Sequence, residues 1–263
     1  MATHTVLQIT DLHLKTPRAA TMLGINTEAF FLQTLRHALD AHPRCDLLLL
    51  TGDLAQDPCQ EVYLRIRQHL EKTGLPCLCL PGNHDDFELM QQNLSGGQIV
   101  CERTFQLGAW SIIVLHSQQA DSQTGTLAQA ELQFLRETLE HNAHRPTLIA
   151  VHHHCIATGS PWMDSMQIDN SAAFLQLLAE YPQVKLVTCG HVHQEFARKF
   201  GTISLFGTPS SCFQFAPQSH QYALDNLPPG YRLFSLVDDG TFATECRRVP
   251  LDMRDLDPKA PGY

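Results

Sequence analysis

The chain has 263 residues, enough for one substantial core, and a single domain spanning 1–263 is expected, with 255–263 as a flexible tail. The net charge of -9 and a pI near 5.9 provide no basic stripe for a nucleic-acid backbone and no polybasic segment for an anionic membrane. A small-molecule substrate is the default partner. Nine cysteines without a CxxC pair, and an N-terminus "MATHTVLQITDLH" with neither a basic region nor an apolar run of signal-peptide length, point to free thiols in a reducing cytoplasm. No apolar run approaches the roughly 20 residues that span a bilayer. Fifteen histidines against 18 lysines and arginines raise the question of a metal.

In chain order, short apolar runs alternate with amphipathic stretches: "TVLQIT", "TEAFFLQTLRHALDAH", "CDLLLLT", "CQEVYLRIRQHLEKTG", "PCLCLPG". This is the βαβα alternation of a largely parallel, buried sheet. The pattern resumes with the strand "WSIIVLH", the helix "LAQAELQFLRETLEHN", the strand "TLIAVH", the helix "AAFLQLLAEYP" and the strand "VKLVTCG". In the last third, "GTISLFG", "YRLFSLV" and "TFATECRRV" follow one another without a helix, which predicts antiparallel strands closing a second sheet or its edge.

Five of the predicted strands end in residues able to bind metals. The first ends in Asp11-Leu12-His13, the second in Gly52-Asp53 and the third in Gly82-Asn83-His84-Asp85. Two later strands end in His152-His153-His154 and in Gly190-His191-Val192-His193. Ligands bind outside the carboxyl ends of strands in open α/β sheets, so these segments are expected to converge on one cleft. Each alone is an ordinary turn or loop feature; five in this order are not explained by turn chemistry. Carboxylates gathered without Lys or Arg need a cation. Asp11 with His13, and His191 with His193, are two apart, and in extended backbone each pair would project to one side and chelate one ion. Asp53 can then bridge two ions roughly 3.5–4 Å apart. Mixed nitrogen and oxygen donors suit Fe or Mn, with Zn as a further choice.

The ordered set DxH, GD, GNHD, a His after a strand, and GHxH resembles the calcineurin-like metallophosphoesterases over about residues 6–193. "GSPWMDSMQIDN" and "GTPSSCFQFAPQSHQYALDNLPPGYR" are similar, more narrowly, to bacterial class III 3',5'-cyclic AMP phosphodiesterases. The resemblance implies an α/β fold: a sandwich of two mixed β-sheets flanked by α-helices, with a di-metal site at strand ends. It also implies that Asp11, His13, Asp53 and His193 hold the first ion, and that Asp53, Asn83, His152 and His191 hold the second. His153 is the alternate to His152. Asn83, His84 and His193 would contact the substrate, and Asn83 and His84 would act in catalysis. His116, at the end of "WSIIVLH", stands where relatives often carry Asp, outside the ligand pattern. The activity implied is hydrolysis of 3',5'-cyclic AMP to 5'-AMP by a hydroxide bridging two ions. No Ser or Cys nucleophile is needed, so "GSPW" and "TPSSC" read as loops. Trp162, Phe213 and Phe215 are candidates to pack against the base or simply into the core. The alternatives are another phosphodiester or nucleotide as substrate, and a non-catalytic binding scaffold on the same fold; a homodimer is left open.

Overall fold

The structure is a computed structural model that describes residues 1–260 and 262. In chain order the elements are β1 (Thr3–Ile9), α1 (Thr27–Ala41), β2 (Leu47–Thr51), α2 (Gln60–Glu71), β3 (Cys77–Leu80), α3 (Phe87–Leu94), β4 (Ile99–Val100), β5 (Thr104–Leu107) and β6 (Trp110–Leu115). They continue with α4 (Gln129–His141), β7 (Thr147–Val151), α5 (Pro161–Asp164), α6 (Ser171–Ala179), β8 (Val184–Cys189), β9 (Phe196–Phe200), β10 (Ile203–Gly207), β11 (Gln214–Phe215), β12 (Leu224–Asp225), β13 (Gly230–Val237) and β14 (Phe242–Arg248).

Two six-stranded mixed sheets result, one ordered β14-β13-β1-β2-β3-β4 and the other β5-β6-β7-β8-β10-β9. The βαβα periodicity pointed to one largely parallel sheet. The chain instead builds two, as the resemblance implied, because strand periodicity records burial on both faces and carries no information on which strands are neighbours. The final strands also part company. β10 pairs parallel with β8 in the second sheet, whereas in the first β13 returns antiparallel to β1 and β14 pairs antiparallel with β13 at the sheet edge.

Alternation in the run "LLLL" shows how the layers form. Leu47 and Leu49 face the space between the sheets, with Val6, Leu78, Trp110, Ile112, Leu148 and Phe234. Leu48 and Leu50 face the other way, onto Phe31 of α1, Val62, Tyr63 and Ile66 of α2, and Met90 of α3. The outer face of the second sheet is covered by Leu135 and Leu139 of α4 and Phe174 and Leu178 of α6. Asn26 and Asp86 cap α1 and α3, accepting from the Ala29 and Leu89 N–H groups.

The segment expected to fray is docked in its first part. Leu256 is buried against Met22 and Ile25, and the Asp257 N–H donates to the Leu23 carbonyl at 2.9 Å. The apolar contact outweighs the Pro and charged residues around it. Residues 261 and 263 of that expected tail lie outside the described residues.

One buried side chain ties the two sheets together near the strand ends. The Gln8 amide donates to Thr51 Oγ1 at 2.8 Å and to the Cys189 carbonyl at 3.2 Å, and its oxygen accepts from Thr188 and Thr208 at 2.6 and 2.7 Å. All four of its hydrogen-bonding positions are used, one toward Thr51 of the first sheet and three toward the second. Replacing Gln8 with Met keeps the length and strands these partners in a dry interior. The expected loss is roughly 2–5 kcal/mol of stability, read as a lower denaturant midpoint with an unchanged slope.

Candidate metal centre

The pleat of β1, β2, β3, β7 and β8 ends at one edge of the sandwich, and the chain beyond each strand turns sharply. Asp11, His13, Asp53, His191 and His193 all have positive φ, between 46° and 63°. Asp11 with His13 and His191 with His193 therefore share a side through left-handed backbone rather than the extended geometry expected from their spacing. Asp and His are among the side chains that tolerate this region best, yet each such residue costs roughly 1–2 kcal/mol. The extensions of β1 and β2 still run together: the N–H groups of Asp11, His13 and Leu14 donate to the carbonyls of Gly52, Asp53 and Leu54.

Glycine is required where backbone meets ligand. A Cβ on Gly82 would fall 2.1 Å from Asp53 Oδ1, and one on Gly190 would fall 2.1 Å from Thr10 Oγ1 and 2.8 Å from Asp11 Oδ2. The motif glycines thus leave room for the carboxylates beside them.

Asp53 sits at the middle. Its Oδ1 accepts the His84 N–H at 3.0 Å, while Oδ2 lies 3.3 Å from His152 Nε2 and 3.7 Å from His13 Nε2. To one side, Asp11 Oδ1 is 3.3 Å from His193 Nε2, which in turn is 3.3 Å from His13 Nε2. To the other, Asn83 Oδ1 is 3.1 Å from both His152 Nε2 and His191 Nδ1. Asp11, Asp53, His13, His152 and His193 are nearly inaccessible, and Asn83 and His84 face the open side.

Tautomers follow from the outer nitrogens. Nδ1–H of His13 donates to Gln56 Oε1 at 2.8 Å, that of His152 to the Thr51 carbonyl at 2.8 Å, and that of His193 to the Phe213 carbonyl at 2.9 Å. The Nε2 atoms of His13 and His193 are left as lone pairs facing each other beside a carboxylate. Burial lowers His13 to about 3, opposed by Asp53 and reinforced by the neighbouring His193 and His84, so the His13 ring brings no proton to that contact. At His152, burial works against charge, but Asp53 and Asp11 overcome it and raise the ring to about 9. Burial opposes the Asp53 charge too, and the rings of His152, His84 and His13 hold its carboxyl well below the usual range. Acceptors converging in this way call for cations, and the ligand-capable groups among the described residues, each within 4.8 Å internally, are Asp11 with His13 and His193, Asp11 with Asp53 and His152, His13 with Asp53 and His84, and His152 with His153 and His191.

A model of the calcineurin-like phosphoesterases matches residues 4–195, most of the chain. The chain belongs to the calcineurin-like phosphoesterase family. It is 38% identical to a 3',5'-cyclic-nucleotide phosphodiesterase of Nostoc sp. over 94% of this chain and 93% of that protein. It is 36% identical to the 3',5'-cyclic adenosine monophosphate phosphodiesterase CpdA of Pseudomonas aeruginosa over 98% of this chain and 94% of that one. A dimetal phosphatase of Danio rerio has a similar fold, with a TM-score of 0.63 at 13% identity over 94% of this chain and 99% of that chain. This phosphoesterase family uses a dinuclear metal centre, and the clusters above are the candidate ligands in this phosphoesterase.

All seven residues expected as ligands meet here, with His84 beside them. Of the three consecutive histidines, His152 points at Asp53 and Asn83. His153 Nδ1 instead meets Ser117 Oγ at 2.7 Å, and His154 Nε2 lies 3.7 Å from Asp164. His116 is away from the ligands, its ring edge-on to Phe87 at 4.2 Å, and burial with Arg103 nearby lowers it to about 4. Sequence reasoning gave no role to Asp85, the last residue of GNHD. Its buried carboxylate accepts from the N–H groups of Leu54, Ala55 and Gly82 and from the Tyr63 hydroxyl, at 2.9–3.0 Å, and so fastens the Asp53 loop to the Asn83 turn. Its place in a quoted motif was the available signal; the carbonyls of Thr51 and Phe213 had none.

Asp53→Ala should remove activity and most bound metal, since it takes away the one carboxylate facing both halves of the cluster; elemental analysis of the purified variant reads this directly. Gly82→Ala should lower metal content as well while unfolding stays cooperative, because the new methyl displaces Asp53. Two metals per chain and near-normal turnover in Asp53→Ala would contradict the assignment.

Proposed function

We propose that the chain hydrolyses 3',5'-cyclic AMP to 5'-AMP at a dinuclear centre. The observation that carries this reading is a cavity of about 690 Å³ whose lining joins Asp53, Asn83, His84 and His191 to the aromatic rings of Trp162, Phe215 and Tyr222. A phosphate fits the first and a nucleoside the second. The names of the full-length relatives support the same substrate.

In this reading Asp11, His13, Asp53 and His193 hold one ion, and Asp53, Asn83, His152 and His191 the other. Imidazole, carboxylate and amide donors favour Fe or Mn, with Zn as a further choice. Bound there, the two ions supply Lewis-acid charge for the phosphoryl oxygens and activate water for attack on phosphorus. The protein does the rest. Gln56, the Thr51 carbonyl and the Phe213 carbonyl keep three imidazoles turned with Nε2 inward. Asp85 keeps Asp53 and Asn83 in register. Asn83, on the open side, donates its amide N–H to a non-bridging oxygen, whereas His193, expected to touch substrate, is fully buried with Nδ1 on the Phe213 carbonyl and Nε2 toward Asp11 and His13, and so serves as a ligand alone. His84 is half-buried at the rim, its backbone N–H tied to Asp53 and its ring edge-on to His13 at 5.2 Å. That leaves the ring facing the cavity, where it donates a proton to the departing 3' oxygen.

No helix among the described residues is long and apolar enough to cross a membrane. A cytoplasmic location and a homodimeric assembly belong to the proposal, and cell fractionation and light scattering check them.

His84→Ala is expected to keep its metals and lose roughly 10²–10⁴ in turnover, with a smaller loss on substrates whose leaving group needs no proton. Equal damage on good and poor leaving groups would argue against proton donation. With a chiral cyclic phosphorothioate in water enriched in heavy oxygen, one in-line displacement inverts phosphorus. Net retention would require a protein nucleophile and overturn the direct route.

A further inference from the structure

The aromatic end of the cavity has a composition that packing alone does not require. Trp162, on α5, meets Phe215 edge-on at 5.0 Å and Tyr222 at 5.7 Å, and Phe215 meets Tyr222 at 5.7 Å. Edge-to-face contacts of this kind are held by weak ring–ring attraction that a planar guest stacked on a ring can replace. Phe215 also stacks on His193 at 4.4 Å, which joins this wall to the metal ligands. Two polar atoms sit within it. Trp162 Nε1 and the Tyr222 hydroxyl are buried and have no hydrogen-bond partner among the described residues. A buried polar group without a partner is destabilising and is uncommon in native proteins. Phenylalanine would fill either place without that cost.

We propose that Trp162 and Tyr222 form a nucleobase subsite. A purine inserts as the two rings part, one of its ring nitrogens accepts from the Trp162 indole N–H, and the Tyr222 hydroxyl meets its polar edge. The subsite rests on the cyclic-nucleotide reading above and extends it to the base. Phe213, a candidate from sequence, is excluded: it is fully buried, with its ring against His13 and His193 and its carbonyl held by His193. Asp164 keeps the segment around Trp162 in place, accepting from the Thr158 N–H and hydroxyl at 2.7 Å and from the Gly159 N–H at 3.2 Å, so opening involves side chains rather than the loop.

The test compares kcat/KM for cyclic AMP with kcat/KM for a chromogenic phosphodiester that carries no base, in wild type, Trp162→Phe and Tyr222→Phe, all metal-loaded. Both substrates use the same centre, so the ratio cancels any loss of folded or loaded enzyme. Each variant should lower the ratio about 5- to 10-fold through KM, the worth of one hydrogen bond. Among 1-, 3- and 7-deaza cyclic AMP, wild type should disfavour one analogue by a similar factor, and Trp162→Phe should not distinguish it from cyclic AMP. A second readout is independent of turnover. The chain has two tryptophans, and Trp110 is fully buried with its N–H on the Val237 carbonyl, so 5'-AMP should change the fluorescence of wild type and not of Trp162→Phe. Wild type that hydrolyses cyclic AMP alongside variants with unchanged ratios overturns the subsite alone. Wild type that hydrolyses the chromogenic diester and not cyclic AMP overturns the substrate reading, and the subsite with it.

Discussion

Two buried carboxylates and the inward lone pairs of several imidazoles share one small, dry volume, and the rest of the molecule is arranged around that repulsion. The ion-pair partners of Asp11 and Asp53 are histidine rings, which can each offer one proton at most. Burial lowers His13, so that ring offers none. Cations are what such a cluster is suited to hold. The left-handed backbone at five of its residues adds roughly 1–2 kcal/mol apiece, and strain of this kind persists only where the surroundings determine the conformation.

Those surroundings come from two sheets, and neither sheet has a complete site. Asp11, Asp53 and Asn83 follow β1, β2 and β3 of the first; His152, His191 and His193 follow β7 and β8 of the second. A slip between the sheets would pull the cluster apart. The apolar layer between them resists separation but is non-directional, and interchangeable aliphatic contacts define register poorly. Gln8 supplies direction, with four hydrogen bonds that reach Thr51 on one side and Thr188, Cys189 and Thr208 on the other. Thr51 and Cys189 close the strands that lead to Asp53 and His191, so the clamp lies directly under the ligands it aligns.

Much of this was legible because every expected ligand lies within a few residues of a strand end, where topology brings distant segments together with little freedom. The part that sequence spacing misjudged was local. DxH and HxH were read as extended pairs, yet their φ values are positive, and the shared direction of the side chains arises from the turns. Burial periodicity could not divide one sheet into two. Backbone carbonyls that orient imidazoles leave no trace in residue type, and the role of Asp85 depends on three N–H groups from two separate loops. Leu256 illustrates the converse, a tail whose composition suggested fraying but whose one apolar side chain finds the core.

The same reasoning explains how a metal site that recognises only phosphate can belong to an enzyme with a preferred substrate. Phe215 stacks on His193 and makes edge-to-face contacts with Trp162 and Tyr222, so the group that backs a metal ligand also shapes the aromatic wall of the cavity. His193 in turn is held through the Phe213 carbonyl two residues earlier in the same segment. The stretch from Cys212 to Phe215 therefore sets both the direction of an inward nitrogen and the position of an aromatic wall. Fixing both with one short segment couples the position of the aromatic wall to that of the inward nitrogen, so a change in this segment that shifts one shifts the other, and preorganisation of the two is gained together.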